Sequence, residues 1–377
     1  MRRVVRPLLT RQERTLHQDR RRMGNDPLRG AGGIIMPKTL YLHVGTHKTG
    51  TTAIQALLTT QSEAWAQGGL FVPRSGRIHD VGGHHNIAWE LNADARYRPA
   101  FGTLADLCEE LKASPHAVAV ISSEDFEYLY SDPRALRALK TAFEGCGYQV
   151  EVLMFLREQG AMIGSLYQEL LKHGLDKGYG ALTCAMVKRG EFVMHGKWRY
   201  CLSYERLVAG FAAVFGEAHV HCRRYERPVE TAFLDLVGYR LTGKPDGAGH
   251  AGGENQALPD LKVRALQRYK AWVSRQGVPE SRASLGRQVI IHATFADNGR
   301  GTSAWGAGLW PRLCGVVRWR HTNRWLQRKK GVRLAPLPPR SVGRALARRA
   351  YARLALVDRW RIVRRFTDSA RAAACGR

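Results

Sequence analysis

Short apolar runs alternate with amphipathic stretches over the first 240 residues of the chain. Each run is three to seven residues long and is typical of a buried strand: Leu40–Val44, Leu70–Val72, Ala117–Ile121, Val150–Leu156 and Ala218–Cys222. Between Tyr200 and Gly216, apolar residues recur at helical spacing and predict a helix. Because strands alternating with helices build a parallel sheet covered on both faces, the pattern predicts an α/β fold, a three-layer sandwich with a mainly parallel central sheet.

The junction after the first apolar run is the most informative part of the pattern. The run breaks at Gly45, and a helical pattern begins near Thr51. Such a junction binds anions, because free backbone N–H groups and the positive end of the helix dipole converge there. Gly45 to Gly50 keeps the GxxxxG frame of a Walker A loop, but the lysine that normally follows the frame lies inside it as Lys48. The alternatives are an ordinary glycine turn and a generic phosphate loop.

A second candidate phosphate contact follows the run Val150–Leu156. Arg157 ends this predicted strand, and Ser165 lies eight residues later on the predicted helix that follows. Arginine suits phosphate, because its planar fork donates two parallel hydrogen bonds. Taken alone, Arg157 is also typical of a solvated charge at a strand end.

Together the two motifs resemble those of sulfotransferases that use 3′-phosphoadenosine 5′-phosphosulfate (PAPS), over roughly residues 38 to 245 and with similarity to bacterial members. GxxKTGTT resembles their 5′-phosphosulfate loop, which implies that the phosphosulfate is held by Gly45, Lys48, Thr49, Gly50, Thr51 and Thr52. The arginine–serine pair resembles their 3′-phosphate motif and implies that role for Arg157 and Ser165. Leu234 to Gly243 resembles a short helix of the bacterial enzymes.

The resemblance implies PAPS as co-substrate. No metal is expected, since a sulfuryl group carries less negative charge than a phosphoryl group and needs less neutralisation. Lys48 would stabilise the leaving phosphate directly. Two features depart from the family. Cytosolic members place an aromatic residue after the Thr-Thr pair to stack the adenine, and this chain has Ala53. The late RKGxxG-like phosphate loop is not visible, and Asn298–Thr302 is the nearest substitute.

Sulfuryl transfer needs a base that takes the acceptor proton. His85 is the favoured candidate, because histidine titrates near neutral pH and relatives place a base in this stretch, often a glutamate. His84 and Glu124 follow closely; Glu124 ends the run that begins at Ala117, at a position resembling that of the histidine base of cytosolic sulfotransferases. The alternatives are a solvated or capping role for either histidine and an N-cap role for Glu124.

The net charge of +27 is concentrated at the two ends of the chain. Residues 1–35 carry +6 and residues 305–377 carry +17, which leaves +4 for residues 36–304. We therefore predict a basic extension over 1–35, a catalytic domain over 36–304 and a largely helical basic region over 305–377. For a helix after Ser341 the alternatives are docking on the domain, contact with an anionic membrane surface or the acceptor, and, least favoured, nucleic-acid binding.

The remaining composition favours a cytoplasmic enzyme. Seven cysteines occur without CxxC pairs, so reduced thiols are expected rather than a metal site or a disulfide framework. No apolar stretch is long enough for a signal peptide or a membrane span, and any membrane contact would be peripheral, at the inner face.

The predicted function is transfer of a sulfuryl group from PAPS to a hydroxyl or amine of a carbohydrate, glycolipid or small metabolite. The acceptor would be chosen by the variable loops 74–105 and 173–200, which carry no readable motif. One alternative is a P-loop kinase that uses ATP and Mg²⁺, although the loop has no GK[ST] dipeptide and no Walker B aspartate follows. The other is a non-catalytic basic adaptor with a degenerate nucleotide pocket.

Overall fold

The computed structural model describes residues 38–78, 82–196, 198–239, 258, 260–292, 309–334 and 356–375. These residues form two units. The first consists of the described residues within Met1–Leu156, Tyr204–Ala251 and Asn323–Arg333, and the second of those within Arg157–Ser203, Gly252–Thr322 and Leu334–Arg377. This division does not coincide with the predicted boundary after residue 304. The predicted extension 1–35 and the segment Asn298–Thr302 lie outside the described residues.

A parallel sheet of five strands forms the centre of the first unit. The described residues contain seven strands: β1 (Lys38–His43), β2 (Leu70–Phe71), β3 (Val118–Ser122), β4 (Tyr148–Leu156), β5 (Glu191–Met194), β6 (Trp198–Cys201) and β7 (Val220–Arg224). Of these, β5 and β6 belong to the second unit, and the other five form the parallel sheet. The order is β2-β3-β1-β4-β7, and every neighbouring pair is parallel. The central strand is therefore β1, and its carboxyl end lies between those of β3 and β4.

Helices flank this sheet. The helices of both units, within the described residues, are α1 (Thr51–Thr60), α2 (Ser62–Gln67), α3 (His85–Leu91), α4 (Leu104–Ala113), α5 (Pro133–Glu144), α6 (Gln159–Lys172), α7 (Tyr179–Arg189), α8 (Tyr204–Phe215), α9 (Val229–Val237), α10 (Asp260–Gln276), α11 (Glu280–His292), α12 (Leu309–Lys330) and α13 (Leu356–Cys375). Short 3-10 segments cover Pro99–Phe101, Glu124–Ser131 and Glu217–His219. The predicted α/β fold with a mainly parallel sheet is confirmed, and the arrangement is consistent with three layers.

Burial of α1 against the sheet fixes the position of the β1–α1 connection. Leu40 and Leu42 of β1 are fully buried, as expected for a central parallel strand covered on both faces. Ile54 and Leu58 of α1 belong to a core cluster that also contains Phe233 of α9. Burying side chains of this size contributes about 1.5–3 kcal/mol each. The start of α1 is therefore held firmly above the end of β1.

Two predicted helices have different bounds in the structure. The helix expected over Leu234–Gly243 is α9, which begins at Val229 and ends at Val237, because Gly238 adopts the left-handed conformation (φ 76°) that terminates helices. The helix expected from Tyr200 begins at Tyr204 as α8, because Trp198–Cys201 pairs with Glu191–Met194 as an antiparallel hairpin.

In the second unit, α13 packs on α10 and α11. Ala370 and Ala374 of α13 are buried, and Gly286 of α11 lies so close that an added Cβ would be 2.6 Å from the carbonyl oxygen of Ala370. Residues 342–355 of the helix predicted after Ser341 lie outside the described residues. Among helices within the described ranges, none has the length and apolar character needed to cross a bilayer.

Candidate functional site

The connection between β1 and α1 turns sharply at the carboxyl end of the central strand. Three of its residues have positive φ: Gly45 (66°), Lys48 (64°) and Gly50 (82°). Gly50 is the N-cap of α1 and has no side chain that could cap the helix, while an added Cβ there would lie 2.8 Å from Val229 Cγ1. The first N–H groups of a ten-residue helix are thus presented beside a glycine-bounded loop. This geometry suits an anion.

Two threonines inside the connection brace it from within and tie it to the sheet. Thr49 Oγ1 donates to the carbonyl oxygen of Thr46 and accepts the Thr46 N–H at 3.3 Å. Thr46 Oγ1 donates to the carbonyl oxygen of Phe155 on β4, at 3.0 Å. Thr46 and Thr49 are fully buried. The two hydroxyls therefore act on the backbone of the loop and of the neighbouring strand.

His47 joins the loop to the segment that follows β3. Its backbone N–H and its Nδ1–H both donate to Glu127 Oε2, at 3.0 and 2.9 Å. Its Nε2 lies 2.9 Å from the Tyr128 hydroxyl and 3.4 Å from Asp125 Oδ1. Burial alone would lower the pKa of His47, but the hydrogen bonds and negative charges of Asp125 and Glu127 outweigh it and raise the pKa to about 10. At neutral pH the side chain is an imidazolium clamped by two carboxylates.

His85 lies beside Asp125, at the carboxylate oxygen that does not face His47. Its Nδ1 is 2.9 Å from Ser123 Oγ and 3.4 Å from Asp125 Oδ2, which also accepts the Trp89 indole N–H. Burial alone would lower the pKa of His85, but the charge of Glu124 and the hydrogen bond to Asp125 raise it. Serine and aspartate meet the same ring nitrogen, whereas a serine-hydrolase triad uses opposite nitrogens. The cluster therefore does not activate Ser123.

His84 is fully engaged by the backbone. Its Nε2–H donates to the carbonyl oxygen of Pro73 at 3.1 Å, and its Nδ1 accepts the Ser122 N–H at 3.2 Å. Desolvation by burial lowers the pKa of His84 to about 3. Gly83 permits this close approach, because an added Cβ would lie 2.7 Å from the Ser122 carbonyl oxygen. Both ring nitrogens are occupied, and the arrangement favours a structural role over that of a base.

Glu124 begins the 3-10 segment directly after β3 and Ser123. The N-cap of that segment is Ser123, whose Oγ accepts the Asp125 N–H. Glu124 Oε2 instead accepts a hydrogen bond from Gln55 Nε2 at 2.8 Å. Burial would raise the pKa of Glu124, but the positive charge of His85 and the charge of His47 outweigh it and lower the pKa. Glu124 is thus an ionised, partly exposed carboxylate held beside the loop, since an added Cβ at Gly45 would lie 3.4 Å from its Cα.

His43 is a buried histidine at the end of β1 that sequence reasoning did not consider. Its Nδ1 is 2.8 Å from Ser122 Oγ, and its ring lies between Phe155 and Phe233, with centroids 5.7 and 5.5 Å away. Among the described residues its Nε2 has no hydrogen-bond partner. Desolvation by burial lowers the pKa of His43 to about 4, so the ring is neutral at physiological pH.

These histidines predict how stability depends on pH. An unfolded histidine takes up a proton below pH 6.5, whereas folded His43 does so only near pH 4. The stability that His43 contributes is therefore full above pH 6.5 and falls as the pH drops below it, by about 2 kcal/mol at pH 5. Urea unfolding near pH 7 and pH 5 should show this loss in the wild type and a smaller loss in His43→Gln. Equal losses in both proteins would refute the assignment.

The sign reverses for His47, whose folded pKa is raised. The stability that its ion pairs contribute is fully present below pH 6.5 and is lost as the pH rises toward 10. Both effects together place the stability maximum contributed by these groups close to pH 6.5.

The structure places the predicted loop and base candidates together in the first unit, around the carboxyl ends of β1 and β3. Arg157 directly follows the last residue of β4, and Ser165 lies on α6; both belong to the second unit. Their joint role stays a prediction.

The candidate site contains three further residues that the sequence reasoning missed: His47, Asp125 and Glu127. The run Ser-Ser-Glu-Asp-Phe-Glu after a buried strand was the available signal, because it places three carboxylates at one sheet edge.

Comparison with protein-family models, with curated proteins and with solved structures gave no match for this chain. The functional assignment therefore depends on the motifs and on the geometry described above.

Proposed function

We propose that the protein transfers the sulfuryl group of PAPS to a hydroxyl or amine acceptor. The observation that carries the proposal is Lys48 within a glycine-bounded loop at the carboxyl end of the central strand, directly before the N-terminus of α1. The backbone N–H groups of this loop and of Thr51 and Thr52 would hold the 5′-phosphosulfate.

In the proposed reaction, the bond from sulfur to the bridging phosphate oxygen breaks as a bond from sulfur to the acceptor oxygen or nitrogen forms. Negative charge develops on the leaving phosphate, and the Lys48 ammonium would offset it. Lysine inside the loop distinguishes this arrangement from an ATP-dependent P-loop, in which the lysine follows the second glycine and a hydroxyl beside it holds Mg²⁺. The kinase therefore remains the second candidate.

Glu124 replaces His85 as the favoured base in this proposal. A base must be unprotonated before the reaction, and the lowered pKa of Glu124 keeps it ionised, whereas the raised pKa of His85 favours its protonated form. His85 would then act as the positive partner that keeps Glu124 ionised. His84 has no further part in the proposed proton transfer, because both of its nitrogens are bonded to backbone.

Arg157 and Ser165 complete the proposal as the 3′-phosphate contacts, on the strength of their sequence spacing. A carbohydrate, glycolipid or small metabolite is proposed as acceptor, in a cytoplasmic enzyme. Contact between the basic C-terminal region and an anionic membrane remains part of the same proposal.

Binding of adenosine 3′,5′-bisphosphate tests the cofactor assignment without knowledge of the acceptor. Calorimetry without Mg²⁺ should show binding about 10- to 100-fold tighter than that of AMP, since a hydrogen bond to a charged group contributes about 1.5–3 kcal/mol. Arg157→Ala should remove this preference and leave AMP binding unchanged. Equal affinity for the two nucleotides would exclude the 3′-phosphate role, and tighter binding of ATP with Mg²⁺ would favour the kinase.

A further inference from the structure

We propose that His47 is the positioning residue that holds Lys48 in its reactive conformation, through the carboxylate of Glu127. The inference rests on the proposed function, because it assigns how the lysine of that same loop is presented to the 5′-phosphate. His47 is not placed in contact with the substrate.

Lys48 has a backbone conformation that a lysine does not hold by itself. Its φ of 64° lies in the left-handed region, which is unfavourable for a residue that has a side chain. Such a conformation persists only where the surrounding structure imposes it. The residues on both sides of Lys48 must therefore be fixed.

On one side, Thr49 is fixed by its hydroxyl, which bonds to both the N–H and the carbonyl group of Thr46. These bonds close a short loop around His47 and Lys48. They fix the two residues that flank His47 and Lys48, and neither bond involves His47 or Lys48 itself.

On the other side, His47 is fixed by one carboxylate oxygen. Glu127 Oε2 accepts both the backbone N–H and the Nδ1–H of His47, so the main chain and the side chain of the residue before Lys48 are held by a single atom. The Glu127 side chain is fully buried, and the His47 ring stacks on Tyr128 with centroids 5.1 Å apart and an angle of 19°. A rotamer change at His47 would break the Nδ1–H bond to Glu127 and the stacking on Tyr128.

The charges around His47 make this clamp strong. From the segment after β3, the groups that face it are Asp125, Glu127 and the Tyr128 hydroxyl. Glu124 and His85 act on the same cluster through their charges. The raised pKa of His47 agrees with this geometry, because both carboxylates favour the imidazolium. Hydrogen bonds between ionised partners are shorter and stronger than neutral ones.

A double-mutant cycle on adenosine 3′,5′-bisphosphate affinity tests the inference. In the wild-type background, Lys48→Ala is expected to weaken binding about tenfold, because it removes a charge-assisted phosphate contact. In a His47→Asn background the same change is expected to weaken binding less than about threefold, because a mispositioned lysine already contributes little to the phosphate contact. A role of His47 in folding alone would lower the melting temperature but leave the two effects additive.

The matched control is His219→Asn. His219 also pairs with a glutamate in the first unit, with Nδ1 2.9 Å from Glu151 Oε1. It directly precedes β7, however, and so lies at the amino ends of the parallel strands, whereas the Lys48 loop lies at their carboxyl ends. Lys48→Ala should keep its full effect in this background. If His47→Asn does not fold, Glu127→Gln serves as the second variant, because it keeps the shape of the side chain and removes its charge.

The outcomes separate the two proposals. Loss of the Lys48→Ala effect in the His47→Asn or Glu127→Gln background, but not in His219→Asn, supports the positioning role. Additive effects in all backgrounds overturn it while leaving the sulfotransferase proposal intact. A wild-type protein that does not bind the bisphosphate, or binds it equally well as Lys48→Ala, overturns the proposed function and this inference with it.

Discussion

Lys48→Ala is expected to lower the rate of sulfuryl transfer by about 10²–10³-fold, equivalent to about 2.7–4 kcal/mol of transition-state stabilisation. The charge that the ammonium offsets appears on the leaving phosphate as the sulfur–oxygen bond breaks, so the loss should fall on kcat. The measurement is release of adenosine 3′,5′-bisphosphate from PAPS in the presence of a metabolite extract that supplies acceptors.

Lys112→Ala provides the control for this variant. Lys112 is half exposed on α4 of the same unit and pairs with Glu109, so the substitution removes the same charge away from the loop. Its rate should equal that of the wild type. A Lys48→Ala rate within about threefold of the wild type would exclude Lys48 from the chemistry.

Glu124→Gln is expected to cost about 10²–10⁴-fold in kcat, the range found for removal of a general base. Because the pKa of Glu124 is lowered, the wild-type rate should stay level between about pH 5 and pH 8. If His85 were the base, its raised pKa would make the rate climb over the same range as the imidazolium loses its proton.

The His85→Asn variant is a second, independent test of whether Glu124 or His85 is the base. Removing the positive charge beside Glu124 should raise the pKa of the carboxyl group, so the rate should begin to fall at a higher pH on the acidic side. A His85→Asn enzyme with a larger loss of kcat than Glu124→Gln, and no shift of the acidic limb, would return the role to His85.

The strands and the connection around Lys48 could be predicted from the sequence, because buried strands require runs of apolar residues. Leu40–Val44 predicted β1 within two residues of its observed bounds, Lys38–His43. The glycines at 45 and 50 marked the two ends of the turn, and both adopt positive φ. Positive φ at Lys48 could not be predicted, since lysine has no preference for that conformation and acquires it from its neighbours.

Roles within the histidine and carboxylate cluster depend on partners that are distant in sequence. His84 and His85 are adjacent in the chain, yet one is bonded to the backbone of Pro73 and Ser122 and the other lies beside Asp125. Adjacent residues at the start of a helix point in different directions, so their environments diverge. The pKa of His84 is lowered and that of His85 is raised because their surroundings differ in this way. The sequence His-His alone does not predict these surroundings.

Transfer of labelled sulfur from PAPS is the most direct test of the central claim. The protein, sulfur-labelled PAPS and a metabolite extract would be incubated without ATP, and the products identified by mass spectrometry. The proposal predicts adenosine 3′,5′-bisphosphate and a labelled sulfate ester or sulfamate in equal amounts, both formed about 10²–10³-fold more slowly by Lys48→Ala. Label that remains in PAPS, while the protein transfers the terminal phosphate of ATP when ATP and Mg²⁺ are supplied instead, would contradict it.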